Sequence, residues 1–343
     1  MDDLQLLRTT RNDVGAASEE ILAPGRQKLM AHIGAETTAG PTPSKAGRRT
    51  MLRRGLLVSA AAAVLVGAIV VADVVAVDGK QPVATASAAE VLDNAAAATI
   101  RTSDPVVGPG QYLKIATTAQ YRTTMVDAAG KEATWLDVMT DEKYIPANRS
   151  DEWVWNRSAR VPTTFFDEAS KEKALADYEE MTRNGPTGEL LRGVDGKFYG
   201  TPEEDVAATA ASLPRDPRAL LDAFYQQARG KGPSPEGEAL VLMADLLRTG
   251  RVPADLRAAL YKAAALIPGI TIVDEQATLN GRTGIAIGRV EPKRNTRQDI
   301  IIDPDTGMLI GERQVLTAAQ GPVPAGTAVG WTAIQTSVVD SAP

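Results

Sequence analysis

The run GLLVSAAAAVLVGAIVVADVVAV, residues 55–77, decides how the rest of the chain is arranged. Residues 55–72 contain no charge and no proline. At about 1.5 Å per residue they span roughly 27 Å as a helix, close to a hydrocarbon core of about 30 Å, and residues 74–77 lengthen the run to about 35 Å. The run therefore reads as one transmembrane helix. Asp73 is the discordant residue. Lying near the outer end, its carboxylate reaches the interface, where a charge costs far less than at the bilayer centre.

The flanking charges set the direction of this helix. Lys45, Arg48, Arg49, Arg53 and Arg54 precede it with no acidic residue among them, whereas Asp73, Asp78 and Lys80 are the first charges beyond. An excess of Lys and Arg marks the cytoplasmic flank. The expected localisation is the cell membrane, single-pass, with the N-terminus cytoplasmic and the C-terminal domain extracytoplasmic. A cleavable signal peptide fits less well, because its apolar run lies within roughly the first 30 residues. The A-x-A triplets Ala84-Thr85-Ala86 and Ala86-Ser87-Ala88 fall well past the end of the run. The pairs Arg48-Arg49 and Arg53-Arg54 resemble a twin-arginine signal only in the way any positive-inside flank does.

Composition narrows the function. The chain carries a net charge of −6, and residues 78–343 hold 28 basic against 36 acidic side chains, a net of −8. That balance argues against a nucleic-acid partner. There is no cysteine and a single histidine, His32, on the inner side. Disulfides, iron–sulfur clusters and thiol chemistry are excluded, and an outer Ser-His-Asp or Cys-His site cannot be built. His32 has no second His, no Cys and no spaced carboxylate cluster with it, so it reads as a surface residue and no metal is expected.

In order, residues 1–33 read as a cytosolic helical hairpin. Leu4, Leu6, Leu7 and Val14 lie on its first helix, and Ile21, Leu22, Leu29, Met30 and Ile33 on its second. Helices this short are marginal alone. Leu7, Leu22 and Leu29 are therefore the candidate contacts to a cytosolic regulatory protein or the membrane surface. Residues 34–54 form a basic linker and residues 78–86 a tether. Ser87 with Glu90 then forms a capping box opening a helix, so the extracytoplasmic domain covers residues 87–343. Strands are expected over 112–121, 135–139 and 152–155. Trp153 and Trp155, two apart, share one face of the last, read as the packed face of the sheet rather than a sugar or base platform.

Residues 201–267 change to helix, with starts at Thr201-Pro202, Asp216-Pro217, Ser234-Pro235 and Val252-Pro253. Proline suits the first helical turn, where its missing N–H has no partner to lose. Strands return at 270–278, at 283–290 after the hairpin signal Asn280-Gly281, at 300–302 and 308–310 around the turn Asp303-Pro304-Asp305-Thr306-Gly307, and at 329–339. The fold class is α+β, an antiparallel sheet with a central helical block.

No catalytic or cofactor-binding residues emerge. Ser170-Lys171-Glu172-Lys173 matches S-x-x-K, yet no K-T-G follows and the segment reads as a surface helix. Asp303 and Asp305 lack the further ligands of a calcium loop. Glu203-Glu204 and Glu179-Glu180 are adjacent rather than facing. Asn148-Arg149-Ser150 and Asn156-Arg157-Ser158 are sequons with meaning only on a eukaryotic secretory route.

Residues 211–269, with LLRTGRVPADLRAALYKAAALIPG at their centre, resemble an uncharacterised actinobacterial family of single-pass envelope proteins. MDDLQLLRTTRNDV, ILAPGRQKLMAHI and DPDTGMLIGERQVL carry the same resemblance. It implies the same order of parts and genes often near extracytoplasmic-function sigma factors, but no catalytic residues. Membrane anti-sigma factors share this topology, whereas their zinc-binding His and Cys motif is missing here. Two readings follow. In the first, a non-enzymatic outer domain binds or senses an unknown envelope ligand and residues 1–33 relay the result to a cytosolic partner such as a sigma factor. In the second, the protein is an anchored carrier or scaffold in which sheet and helices enclose an apolar envelope ligand, as in lipoprotein-carrier folds. Its signature is a large apolar cavity, and a solid core counts against it.

Overall fold

The computed structural model describes residues 84–343, apart from residues 103, 128–129, 186 and 201–204. The expected inner hairpin with Leu7, Leu22, Leu29 and His32, the linker and the 55–77 run lie outside the described residues. Among the described residues no helix is long and apolar enough to cross a membrane.

A helix, α1 (Ala86–Arg101), leads into β1 (Tyr112–Val126), β2 (Glu132–Pro146), β3 (Glu152–Ser158) and β4 (Val161–Phe165). Helix α2 (Glu168–Asn184) and β5 (Gly188–Val194) follow, then the helical block α3 (Val206–Ser212), α4 (Pro217–Gln227), α5 (Pro235–Leu247) and α6 (Ala254–Ala264). The chain closes with β6 (Ile270–Leu279), β7 (Arg282–Glu291), a short 3₁₀ turn, β8 (Thr296–Ile302), β9 (Leu309–Leu316) and β10 (Ala328–Val339). All ten strands belong to one antiparallel sheet ordered β5-β3-β2-β1-β10-β9-β8-β7-β6, with β4 paired to β2. The last strand joins the two halves: β10 lies between β1, where Ile115 faces Thr336, and β9, where Thr332 faces Glu312.

Helix starts follow the sequence at Asp216-Pro217 and Ser234-Pro235. The side chains of Asp216 and Ser234 accept from the amides of Ala219 and Gly237, with proline in the first turn of each helix. The expected start at Thr201-Pro202 lies outside the described residues, and the caps of the other helices differ from expectation. Thr85, not Ser87, caps α1, its hydroxyl accepting from the amide of Ala88. Asp205 caps α3, accepting from Ala207 and Ala208. At α6 the N-cap is Pro253, which has no side-chain acceptor. Asp104, distant in sequence, fills the role by accepting from the amide of Ala254 at 2.8 Å and from Arg257 at 2.9 Å. The first two strands also run to 15 residues each, well beyond the expected spans, because each continues into a hairpin pairing along its full length. β4 and β5 were not expected; β5 reads Gly-Glu-Leu-Leu-Arg-Gly-Val and lacks a clean alternation.

Helices α1 and α3–α6 pack on one face of the C-terminal half of the sheet. Leu92, Leu220, Leu221, Leu240, Met243, Leu256, Leu260, Tyr261 and Ile267 meet Ile270, Ile287, Ile300 and Ile302, all inaccessible to solvent. Each such side chain withdrawn from water contributes about 1.5–3 kcal/mol, so this layer is the main source of stability. Tyr261 donates its buried hydroxyl to the carbonyl of Gly307 at 2.8 Å, and Thr99 donates to the same carbonyl. Burial raises the Tyr261 pKa. The Asp303–Gly307 segment is thus a turn, as expected, with Asp303 accepting from the amides of Asp305 and Thr306 and Gly307 at φ 68°.

The opposite face of this half curls over a small second core of Ala277, Leu279, Ala286, Ile301, Ile310 and Ala333. At the β6–β7 tip Asn280 (φ 48°) and Gly281 (φ 78°) adopt the left-handed pair a tight hairpin requires. From there Asn280 reaches Thr118 on β1, and Arg282 reaches the carbonyl of Ile334 on β10. So close an approach needs small residues, since a Cβ on Gly311 would lie 2.6 Å from the Leu279 side chain of β6. Asp299, fully buried on this face, accepts from Arg297 at 2.7 and 2.9 Å and from Arg313 at 2.8 Å.

Candidate functional site

The first half of the sheet is only partly covered on its helix-bearing side, and a cleft opens where the cover stops. Its floor is two cross-strand pairs on β1 and β2, Ile115 opposite Lys143 and Thr117 opposite Asp141. Its walls are Val206 at the start of α3 and Arg248, Thr249 and Arg251 in the corner between α5 and α6. The volume of the cleft is about 270 Å³.

The corner is tightly built. Arg248 is the C-cap of α5, and its amide donates to the carbonyl of Ala244. The Thr249 hydroxyl donates to the Leu246 carbonyl at 2.7 Å, and Gly250 has φ 66°. A Cβ on Gly250 would lie 2.8 Å from the Thr336 methyl and 3.4 Å from Ile115, so the turn sits directly on the β1–β10 pair. Glycine meets both the left-handed angle and the close approach.

Aromatic rings position the cations. The Arg251 guanidinium lies 5.5 Å from the centre of the Trp153 ring, while Lys143 and Arg157 lie 4.9 and 4.8 Å from that of Trp155. Such contacts contribute about 0.5–2 kcal/mol each and fix where the charges point. Trp153 is buried with Ile115 and Ile145 and donates to the Arg149 carbonyl. Trp155 packs against Phe198 with ring centres 5.4 Å apart and planes tilted by 54°, and donates to Asp141 at 3.3 Å. The packed-face reading therefore holds for Trp153, while Trp155 sits half-buried at the margin as an anchor for charged neighbours.

Behind the corner, the Arg248 guanidinium donates to Glu312 on β9 at 3.1 Å and pairs with Asp245 at 3.0 Å. Gln298 on β8 donates to the second oxygen of Glu312 at 2.9 Å. Burial drives the Glu312 pKa up to about 7, with the Asp245 charge adding to the shift and Arg248 and Gln298 opposing it. Burial raises Asp245 as well, against the pull of Arg248.

Residues weighed from sequence fall elsewhere. The Ser170 hydroxyl is buried and accepts from the Thr134 amide at 3.0 Å, while Lys173 is half exposed and pairs with Asp177. That serine joins α2 to β2 and has no lysine at its side. Among the described residues no group of three or more His, Asp or Glu side chains is arranged to hold a metal ion. The cleft residues Lys143, Arg248, Thr249 and Arg251, and Glu312 behind them, were not singled out from sequence. The usable signal was Arg248-Thr249-Gly250-Arg251, two cations flanking a glycine at a helix corner, within the run that carries the family resemblance.

No protein-family model matches the chain, and no curated protein matches it. The actinobacterial resemblance therefore has no match behind it. Two solved structures align with parts of it at low scores. The MucA/MucB complex of Pseudomonas aeruginosa aligns at TM-score 0.27 and 11% identity, over 75% of this chain and 59% of the matched chain. A DUF1329 family protein from Desulfovibrio piger aligns at TM-score 0.18 and 10% identity, over 73% of this chain and 92% of that one. Likeness this low carries no argument about what this chain does.

Proposed function

We propose that this chain is a single-pass membrane protein whose outer domain is a non-enzymatic binding or sensing module, and that the cleft beside the α5–α6 corner takes an anionic group of a polar envelope ligand. The observation that carries the reading is the convergence of Lys143, Arg248 and Arg251, with Thr117 beside them, on one hollow of a domain whose net charge is negative. Two of the three cations are held in place by tryptophan rings, which lowers the ordering cost of binding. Asp141 gives the floor one acceptor, suited to a hydroxyl on the same ligand.

The membrane anchor, the outward orientation of the domain and a cytosolic regulatory partner at Leu7, Leu22 and Leu29 belong to the same proposal and rest on the sequence. The chain has no native cysteine, so single cysteines placed at Ser44 and Ser341 give a clean test. An impermeant thiol reagent on intact cells should label Ser341→Cys alone. Labelling of Ser44→Cys instead would invert the orientation. The carrier reading is not favoured, because the space between the helical layer and the sheet is filled by Leu240, Met243, Leu256, Leu260, Ile287 and Ile300. Calorimetric titration of the full chain in detergent with inorganic phosphate, glucuronate and glucose tests the cleft. Heat from the two anions and none from glucose is expected; no heat from either anion would end the reading.

A further inference from the structure

The chain joins the domain at one end of the sheet. The amide of Thr85 donates to the carbonyl of Ile270 at 3.0 Å, so the entry lies at the start of β6. Ile270 pairs with Arg289 of β7, and three residues further on the chain turns back into β8 through residues 292–295. At about 3.4 Å per residue that turn projects roughly 10 Å past the point of entry. The α4–α5 loop lies against it, with Lys293 donating to the carbonyl of Pro233 at 3.3 Å. The β9–β10 loop completes the surface: Gln320 donates to the carbonyl of Arg294 at 3.1 Å and accepts from Arg122, near the end of β1, at 2.9 Å.

These loops carry charge of one sign. Residues 228–235 hold Arg229 and Lys231, residues 292–296 hold Lys293 and Arg294, neither segment has an acidic residue, and residues 317–327 have no charge. With Arg122 they place five exposed cations at one end of a domain whose net charge, over residues 78–343, is −8. The acidic residues bordering these segments lie deeper. Glu291 is buried and accepts from Arg289 at 3.0 Å and from Ser234, Asp299 is fully buried, and Glu236 and Glu238 are half-buried on the first turn of α5.

We infer that this end of the domain docks on the anionic phospholipid headgroups of the membrane that anchors the chain. The inference rests on reading residues 55–77 as the anchor. Eight peptide steps separate Val77 from Thr85, and fully extended they reach at most about 29 Å, so the tether keeps the cationic end within range of the headgroups. Basic side chains close to an anionic bilayer strengthen binding about fivefold each, and salt screens the attraction. Docking at this end leaves the cleft clear of the bilayer, because its floor residues Ile115 and Thr117 lie near the other end of β1.

The chain has no native cysteine, so a fluorophore is placed at Gln227→Cys, exposed at the end of α4, or at Asp305→Cys, exposed on the β8–β9 turn at the opposite end of the sheet. The full chain is reconstituted into vesicles of phosphatidylcholine alone or with about one-third phosphatidylglycerol, each carrying a headgroup-linked quencher. In low salt, quenching at residue 227 should be several-fold stronger in the anionic vesicles and should drop to the neutral level in about 0.5 M salt. At residue 305 it should stay low in both. Arg229→Glu, Lys231→Glu, Lys293→Glu and Arg294→Glu together should remove the difference. Quenching at residue 227 that is equal in the two membranes, or that survives both high salt and the charge reversal, would overturn the docking surface. Failure of the anchor reads out separately, as a chain that alkaline carbonate strips from either vesicle. The docking surface then stands if the stripped chain sediments with the anionic vesicles in low salt, and falls if it stays in solution with both kinds.

Discussion

Replacing Glu312 with glutamine should make the domain less sensitive to pH, and the size of the effect follows from the site. In the folded protein burial holds the pKa at about 7, against 4.5 for the unperturbed group. A folded-state pKa above the unfolded value means that the native state binds the proton more tightly, so stability falls as pH rises through that window. At 1.36 kcal/mol per unit, the loss between about pH 5 and about pH 8 is about 2 to 3 kcal/mol. Urea unfolding of the wild-type chain and of Glu312→Gln at the two pH values isolates the term by difference, because the remaining groups titrate alike in both. The glutamine chain should be the more stable of the two relative to wild type at the higher pH, and the gap should close at the lower. Parallel pH profiles would refute the placement of an ionised carboxylate in that interior.

Three other perturbations test the framework around the cleft. Asp299→Ala removes a buried carboxylate bonded to both Arg297 and Arg313 and should cost about 1–3 kcal/mol in urea unfolding, since Arg297 loses its charge-assisted bonds while Arg313 keeps Asp274 at 3.6 Å; a loss near zero would show that the network relaxes into water. Asp104→Ala strips α6 of its distant cap and should cost about 1 kcal/mol, read as faster amide exchange at Ala254 with α5 unaffected. Ser170→Ala leaves the Thr134 amide without its acceptor and should cost about 1–3 kcal/mol in chemical denaturation, whereas Lys173→Ala should be neutral; equal losses would revive a joint role for the pair.

The sequence made the local elements legible wherever a short-range cause sets them. Asp216-Pro217 and Ser234-Pro235 start helices because cap and proline act within one turn, and Asn280-Gly281 turns a hairpin because both residues tolerate left-handed angles. The α+β class and the central helical block followed from those signals. Causes distant in sequence did not show. Asp104 caps a helix 150 residues away, β10 pairs with β1, and the sheet curls far enough for Asn280 to meet Thr118. The cleft is of that kind. Lys143 and Arg251 each look like ordinary surface cations in the sequence, and only the register of β1 and β2 with the α5–α6 corner brings them to one hollow. Glu312 was invisible for the same reason, since its alternation within β9 gives no hint that a helix end will cover it.

Trp153 under Arg251 and Trp155 under Lys143 make the cleft its own reporter. Titrating the full chain in detergent with inorganic phosphate, against sodium chloride at matched ionic strength, and following tryptophan emission tests the central claim most directly. A saturable change with phosphate, whose midpoint moves to higher concentration in Arg251→Ala and in Lys143→Ala, is the predicted result. A change that never saturates, that chloride reproduces, or whose midpoint both substitutions leave in place would contradict it.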